Sequence, residues 1–172
     1  QIIDIVLILM WMATVFCFSN QNGTKSSGTS RTVTEMIVQP ILGKDEKKNE
    51  TIIKDTEKVI RKLAHYTIYT VGGMLIINFA NTTEKARKKQ ILYSIMFGLT
   101  YAITDEIHQY FISNRSARIF DVSIDTLGII TGILIYSVIK NTLRTLRKKH
   151  KSKNTSGNFK VMWFFTSPAN VT

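Results

Sequence analysis

The chain has 172 residues, 23 of them Lys or Arg against 12 Asp or Glu, for a formal charge of +11. That length bounds it to a single domain, and its 44% hydrophobic content excludes a fully disordered chain, as two prolines and nine glycines exclude Pro-rich and collagen-like ones. A single cysteine, Cys17, excludes an internal disulfide framework and a multi-thiolate metal site; inside an apolar run it is expected to be a small buried hydrophobe.

The mean hydropathy of +0.03 averages two segregated populations, apolar blocks and Lys-rich connectors. Ile2 to Phe18 is apolar apart from Asp4 and close to the minimum length for crossing hydrocarbon. No basic leader or A-x-A-like site accompanies it, so it is taken as a retained first span. Residues 19–62 form a polar outer loop, expected to be partly helical from Glu50, because Ile52, Ile53, Val59 and Ile60 recur at helical spacing. Leu63 to Ala80 makes a second span and Ile91 to Ile112 a third, apolar first and ionisable last. Ile119 to Ile139 makes a fourth, with Asp121 and Asp125 confined to its first third. The expected fold is therefore all-α, a four-span transmembrane helical bundle over residues 1–139, followed by a basic cytoplasmic tail over 140–172. Within that tail Val161 to Phe165 is too short to span, leaving an interfacial anchor, a cytoplasmic contact or a non-native extension.

Lys and Arg in short loops resist translocation. Lys85, Arg87, Lys88 and Lys89 lie between spans two and three, and a run from Lys140 to Lys153 follows span four, so both segments belong inside. Both termini are then cytoplasmic, with the tail against anionic lipid. A soluble helical protein with a nucleic-acid-binding tail is the competing reading of the high charge. It is set aside, along with a nucleic-acid partner, because soluble cores rarely supply four apolar runs of span length.

Each ionisable group at a helix centre in the bilayer costs roughly 2.5–3.5 kcal/mol on insertion scales, so a collection of them needs compensation. Here they gather at the outer ends of the spans: Ser19 and Gln21, then Arg61, Lys62 and His65, then Asp105, Glu106, His108 and Gln109, and finally Asp121 and Asp125. Arg115 and Arg118 come from the tight hairpin between spans three and four. On span four Asp121, Asp125, Gly128 and Gly132 share one stripe, and span three offers Gly98, Ala102, Asp105 and Gln109 as its matching partner. Span two carries Arg61, His65, Tyr69 and Gly72 in the same layout. Adjacent on a helix, Asp105 and Glu106 are expected to face different ways, only one toward the bundle centre. Asp105 and His108, three apart, have the spacing of an acid/base pair. Asp121 suits a structural ion pair with Arg115 or Arg118, Asp125 a partner in Arg61 or His65, and Lys62 is expected to snorkel.

The residues Phe18-Ser19-Asn20-Gln21, Arg61-Lys62-Leu63-Ala64-His65, Asp105-Glu106-Ile107-His108-Gln109-Tyr110-Phe111 and Arg115 to Gly128 (RSARIFDVSIDTLG) resemble the motifs of the VanZ-like family of small bacterial membrane proteins. The resemblance runs from Trp11 to about Ile139. Departures are Asn20 inside the Ser-x-Gln step and the tail after Lys153, which the resemblance does not cover. It implies a four-span protein of the plasma membrane of Gram-positive type bacteria, associated with resistance to lipid-bearing glycopeptides such as teicoplanin. It implies no particular reaction and no cofactor.

Three mechanisms fit the polar layer. In the first, an outward-facing site binds or modifies a lipid-linked, anionic envelope molecule. Arg61, Arg115 and Arg118 hold phosphate, Asp105, Glu106, His108 and His65 are candidate acid/base groups, and Asp121 and Asp125 orient the bases, with Ser19, Gln21 and Gln109 as further binding groups. In the second, a non-enzymatic accessory protein uses the same charges as an interhelical network. The third is a divalent cation among Asp105, Glu106, Asp121, Asp125 and a histidine, but no strict ligand motif is present and no metal site is assigned. A phosphate-cradling glycine loop, a serine nucleophile elbow and His-Glu-x-x-His are all absent. The partners expected are the lipid bilayer and a lipid-linked cell-wall precursor or lipoglycopeptide, with a homo-oligomer needed for any channel.

Overall fold

The computed structural model describes residues 1–20, 23–38, 46–112 and 118–166; side chains at 23–27, 29–30, 38, 46–49 and beyond 149 lie outside that description. The described residues are helical, in the order α1 (Ile2–Ser19), α2 (Gly23–Val38), α3 (Glu46–Thr83), α4 (Arg87–Tyr110) and α5 (Ile119–Thr166). No strand occurs among them. Residues Gln1–Ile135 form one compact unit and Tyr136–Thr172 a second.

The polar stretch expected as an outer loop, helical in part from Glu50, is, where described, helix α2 and the first part of α3; the helix from Glu50 is present, and α2 is the addition. Thr34 on α2 and Glu57 on α3 are buried, and α2 packs on α3. Neither segment is long and apolar, so hydropathy alone hides a helix that forms by packing.

The burial pattern of the compact unit runs opposite to that of a water-soluble protein. On α4 the buried residues are Gln90, Ser94, Gly98, Ala102, Asp105, Glu106 and Gln109, while Leu92, Met96, Phe97, Ile103 and Ile107 are exposed. On α1 Ile2, Ile3, Leu9, Met10, Phe16 and Phe18 face outward. Cys17 is exposed with them, not buried as expected, because the buried stripe of α1 is Trp11, Val15 and Ser19. Small and polar residues inside with large apolar ones outside is the arrangement lipid favours, since helix association there depends on close packing and interhelical hydrogen bonds.

Three helical segments are long and apolar enough to cross a membrane: Ile2–Ser19, Glu50–Thr83 and Ile119–Lys149. The protein is accordingly a multi-pass membrane protein. The expected third span falls on α4, whose Arg87-Lys88-Lys89 start and Asp105-Glu106 end hold its hydropathy below the other three.

Aromatic residues bind the unit together. Trp11 packs edge-on to Tyr69 at 5.7 Å and beside Tyr101 at 5.1 Å between ring centroids, and its Nε1 donates to the Ile68 carbonyl at 2.9 Å. Tyr101 donates from its hydroxyl to the Met12 carbonyl at 2.7 Å, and Asn78 Nδ2 donates to Asp4 Oδ1 at 2.8 Å. The glycine stripe of α5 contacts α3, where the sequence reading had expected α4. A Cβ on Gly132 would strike the Thr70 carbonyl, and one on Gly128 would meet the Tyr66 carbonyl at 2.6 Å. Gly98 of α4 instead accommodates the side chain of Ile129. A Gly-x-x-x-Gly step states that a helix approaches closely, not which helix does. Tyr66 Oη and Thr131 Oγ1, 2.8 Å apart, close the same α3–α5 seam.

Between α3 and α4 the turn is held by its own polar groups. Glu84 Oε1 accepts the Ala86 and Lys85 N–H groups at 2.9 and 2.8 Å, which holds its carboxyl below the ordinary value.

Candidate functional site

Close contact at Gly128 and Gly132 fixes α5 against α3, so that one turn earlier on α5 Asp125 is held beside His65. His65 Nδ1 stands 3.7 Å from Asp125 Oδ1, within ion-pair range but beyond a hydrogen bond. Asp125 is 1% exposed, and its Oδ1 makes no hydrogen bond. Asp105 of α4 completes a cluster in which one donor atom from each of His65, Asp105 and Asp125 lies within 4.8 Å of the others. Behind Asp105 runs a short relay: Gln109 Nε2 donates to Asp105 Oδ2 at 2.9 Å and to Ser19 Oγ at 3.3 Å, tying α4 to the end of α1.

Both carboxylates of the Asp105-Glu106 pair are buried, at 4% and 6% exposure, whereas only one was expected to face inward. The buried face of α4 is wide enough for both because α5 covers the second. Glu106 Oε1 accepts the backbone N–H of Arg118 at 2.6 Å, at the entry to α5.

Over this cluster lies a cavity of about 230 Å³. Lys58, Arg61, Lys62 and Arg118 line it together with His65, Glu106, Gln109, Asp121 and Asp125. Lys62 does not merely snorkel. It donates from Nζ to Asp121 Oδ1 at 2.8 Å and lies over the Phe120 ring at 4.4 Å, taking the place expected for Arg115 or Arg118 as partner of Asp121. Arg61 reaches Glu57 at 3.6 Å, one turn back on α3, and its Nε is buried without a hydrogen bond.

The structure thus brings together Ser19, Arg61, His65, Asp105, Glu106, Gln109, Arg118, Asp121 and Asp125. His108 is elsewhere: its ring stacks on Phe16 at 4.7 Å, its Nε2 is buried without a hydrogen bond, and it is not among the cavity's lining residues. The i, i+3 spacing that suggested a pair with Asp105 is outweighed by Gln109, one residue further on and on the inner face. Gln21 and Arg115 lie outside the described residues. The sequence reading missed Lys58 as a lining group and Glu57 as the partner of Arg61, although the Glu57/Arg61 spacing of four was legible.

A family-level comparison matches residues 5–140 to VanZ/LLP1, well over half of the chain and nearly all of the compact unit. The chain belongs to the VanZ/LLP1 family. No curated protein and no solved structure matches it significantly. The VanZ/LLP1 match takes in every residue that lines the cavity.

Proposed function

We propose that this VanZ/LLP1 protein crosses the bacterial plasma membrane four times, with both termini cytoplasmic. Its cavity then opens at the outer face, takes the anionic head of a lipid-linked envelope molecule and thereby contributes to resistance to teicoplanin-type glycopeptides. The observation that carries this reading is the cavity itself, in which Lys58, Arg61, Lys62 and Arg118 surround a space of about 230 Å³ at the end of a helical unit whose outside is apolar. A lipid-linked anion matches both halves of that surface, its head meeting charge-assisted donors and its chain meeting exposed aliphatic side chains. Counting α4 as the additional span puts the basic α3–α4 turn on the side opposite the cavity, in keeping with the bias of cytoplasmic loops toward Lys and Arg. In this reading His65, Asp105, Glu106 and Asp125 are the groups available for proton handling.

A non-enzymatic accessory role is the second reading. It draws support from the interhelical bonds Lys62–Asp121, Gln109–Ser19 and Tyr66–Thr131, which use much of the polar layer for packing. Teicoplanin and vancomycin susceptibility of a sensitive Gram-positive host separates the two, with the native chain and Glu106→Gln expressed at membrane levels matched by immunoblot. Selective protection lost in Glu106→Gln at equal abundance supports chemistry or binding in the cavity. Protection that only tracks abundance supports the accessory role, and no protection by the native chain withdraws the resistance reading.

A further inference from the structure

Among the described residues the two deepest carboxylates, Asp105 and Asp125, converge without a strong base between them. Lys62 is engaged by Asp121 and Arg61 by Glu57, so the counter-group left to the pair is His65. Two buried like charges at one point are costly unless a cation or a shared proton neutralises them.

The geometry points to a divalent metal site of the Zn²⁺ class held by His65, Asp105 and Asp125, at the floor of the cavity. The assignment stands whether or not the cavity above takes a lipid-linked anion. Imidazole nitrogen with two carboxylate oxygens is a donor set that binds such ions, and the three come from α3, α4 and α5, helices fixed against one another by glycine contacts. Neighbouring ligands of a tetrahedral Zn²⁺, each about 2.0–2.2 Å from the metal, stand about 3.3–3.5 Å apart. The 3.7 Å between His65 Nδ1 and Asp125 Oδ1 is near that value.

A second group, independent of the three, is directed to the same point. Tyr69 is 0% exposed, and its hydroxyl has no hydrogen-bond partner. It lies within electrostatic reach of both Asp105 and Asp125. A buried hydroxyl left this way costs free energy that a metal, or a metal-bound water, would recover. The Gln109 bond to Asp105 Oδ2 supplies the outer support that a ligating carboxylate usually has, leaving the other oxygen for the metal. A +2 ion there offsets the charge of the two aspartates beside a cavity that Arg61 and Arg118 also line. No short motif announces the site because its donors are 40 and 20 residues apart in sequence.

The test uses the full chain in detergent, stripped with a chelator, re-equilibrated with Zn²⁺ and analysed by elemental mass spectrometry and by competition with a Zn²⁺ indicator. One equivalent per chain is expected. His65→Ala and Asp125→Asn should weaken it on the order of 100-fold, since loss of a direct ligand exceeds the 10- to 100-fold cost of altering an outer partner, and Tyr69→Phe on the order of 10-fold. Glu35→Gln, on α2 and paired with Arg31 at 2.8 Å away from the cavity lining, should bind as the native chain does. Co²⁺ substitution should give a visible ligand-field band in the native protein, a readout that requires no variant to fold. Less than stoichiometric metal in the native chain overturns the site, as does Zn²⁺ binding unchanged in well-folded His65→Ala and Asp125→Asn. A protonated-carboxylic-acid infrared band that is lost in Asp125→Asn and unaffected by Zn²⁺ overturns it too, assigning the pair a shared proton instead.

Discussion

Where Gly128 and Gly132 meet α3, the two helices touch so closely that a single methyl group would collide with backbone; one to two turns earlier on α5, the same helices part around a cavity lined with charge. In the first region glycines set the approach of the helices, and the Tyr66–Thr131 hydrogen bond closes the seam. In the second the side chains are long, ionisable and bridged by hydrogen bonds. The close contact makes the polar region tolerable, because rigid spacing at the glycines sets the separation at which His65 and Asp125 face each other.

Breaking the close-packed region should therefore have the largest effect. Gly132→Val places three carbons where a Cβ alone would already strike the Thr70 carbonyl, a backbone clash that should exceed the roughly 1–3 kcal/mol typical of core overpacking. The expected outcome is loss of folded protein, read by size-exclusion fluorescence of a tagged chain. Trp11→Ala should come next, at roughly 3–5 kcal/mol, since the indole fills the space between Tyr69 and Tyr101 and bonds the Ile68 carbonyl; Trp11→Phe should recover most of that. Thermal melts in one detergent rank the two.

Changes in the polar region should cost less stability. Gln109→Leu preserves volume but removes the donor to Asp105 Oδ2 and Ser19, an expected loss of about 1–3 kcal/mol. Lys62→Met should be milder still, about 0.2–1 kcal/mol, because the Lys62–Asp121 pair is about one-third exposed. If Lys62→Met destabilises as much as Trp11→Ala, the polar region is structural and the contrast between the two regions fails.

Much of the helical framework was legible. The apolar run 2–18 corresponds to α1, and the membrane character follows from blocks that length and hydropathy alone mark out. The helix from Glu50 into α3 was legible in the spacing of Ile52, Ile53, Val59 and Ile60; less legible was α2, whose polar residues form a helix packed on α3. The convergence of His65, Asp105 and Asp125 could be anticipated from stripes at helical spacing, since burial cost forces charged groups to one level. Which helix takes the α5 glycines could not, because a small-residue step carries no partner identity. Nor could the stacking of His108 on Phe16, which depends on the rotation of α1, or the exposure of Cys17, which depends on the same rotation.

The central claim is that cations of the cavity hold an anionic head whose chain lies in the membrane. Its most direct measurement is binding of a polyprenyl phosphate, against the uncharged polyprenol of equal length, to the detergent-solubilised full chain by native mass spectrometry. The account predicts that the phosphate is retained over the alcohol and that Arg61→Ala and Arg118→Ala each reduce its retention while the protein remains folded. Equal retention of phosphate and alcohol, or retention unchanged in both variants, would contradict it.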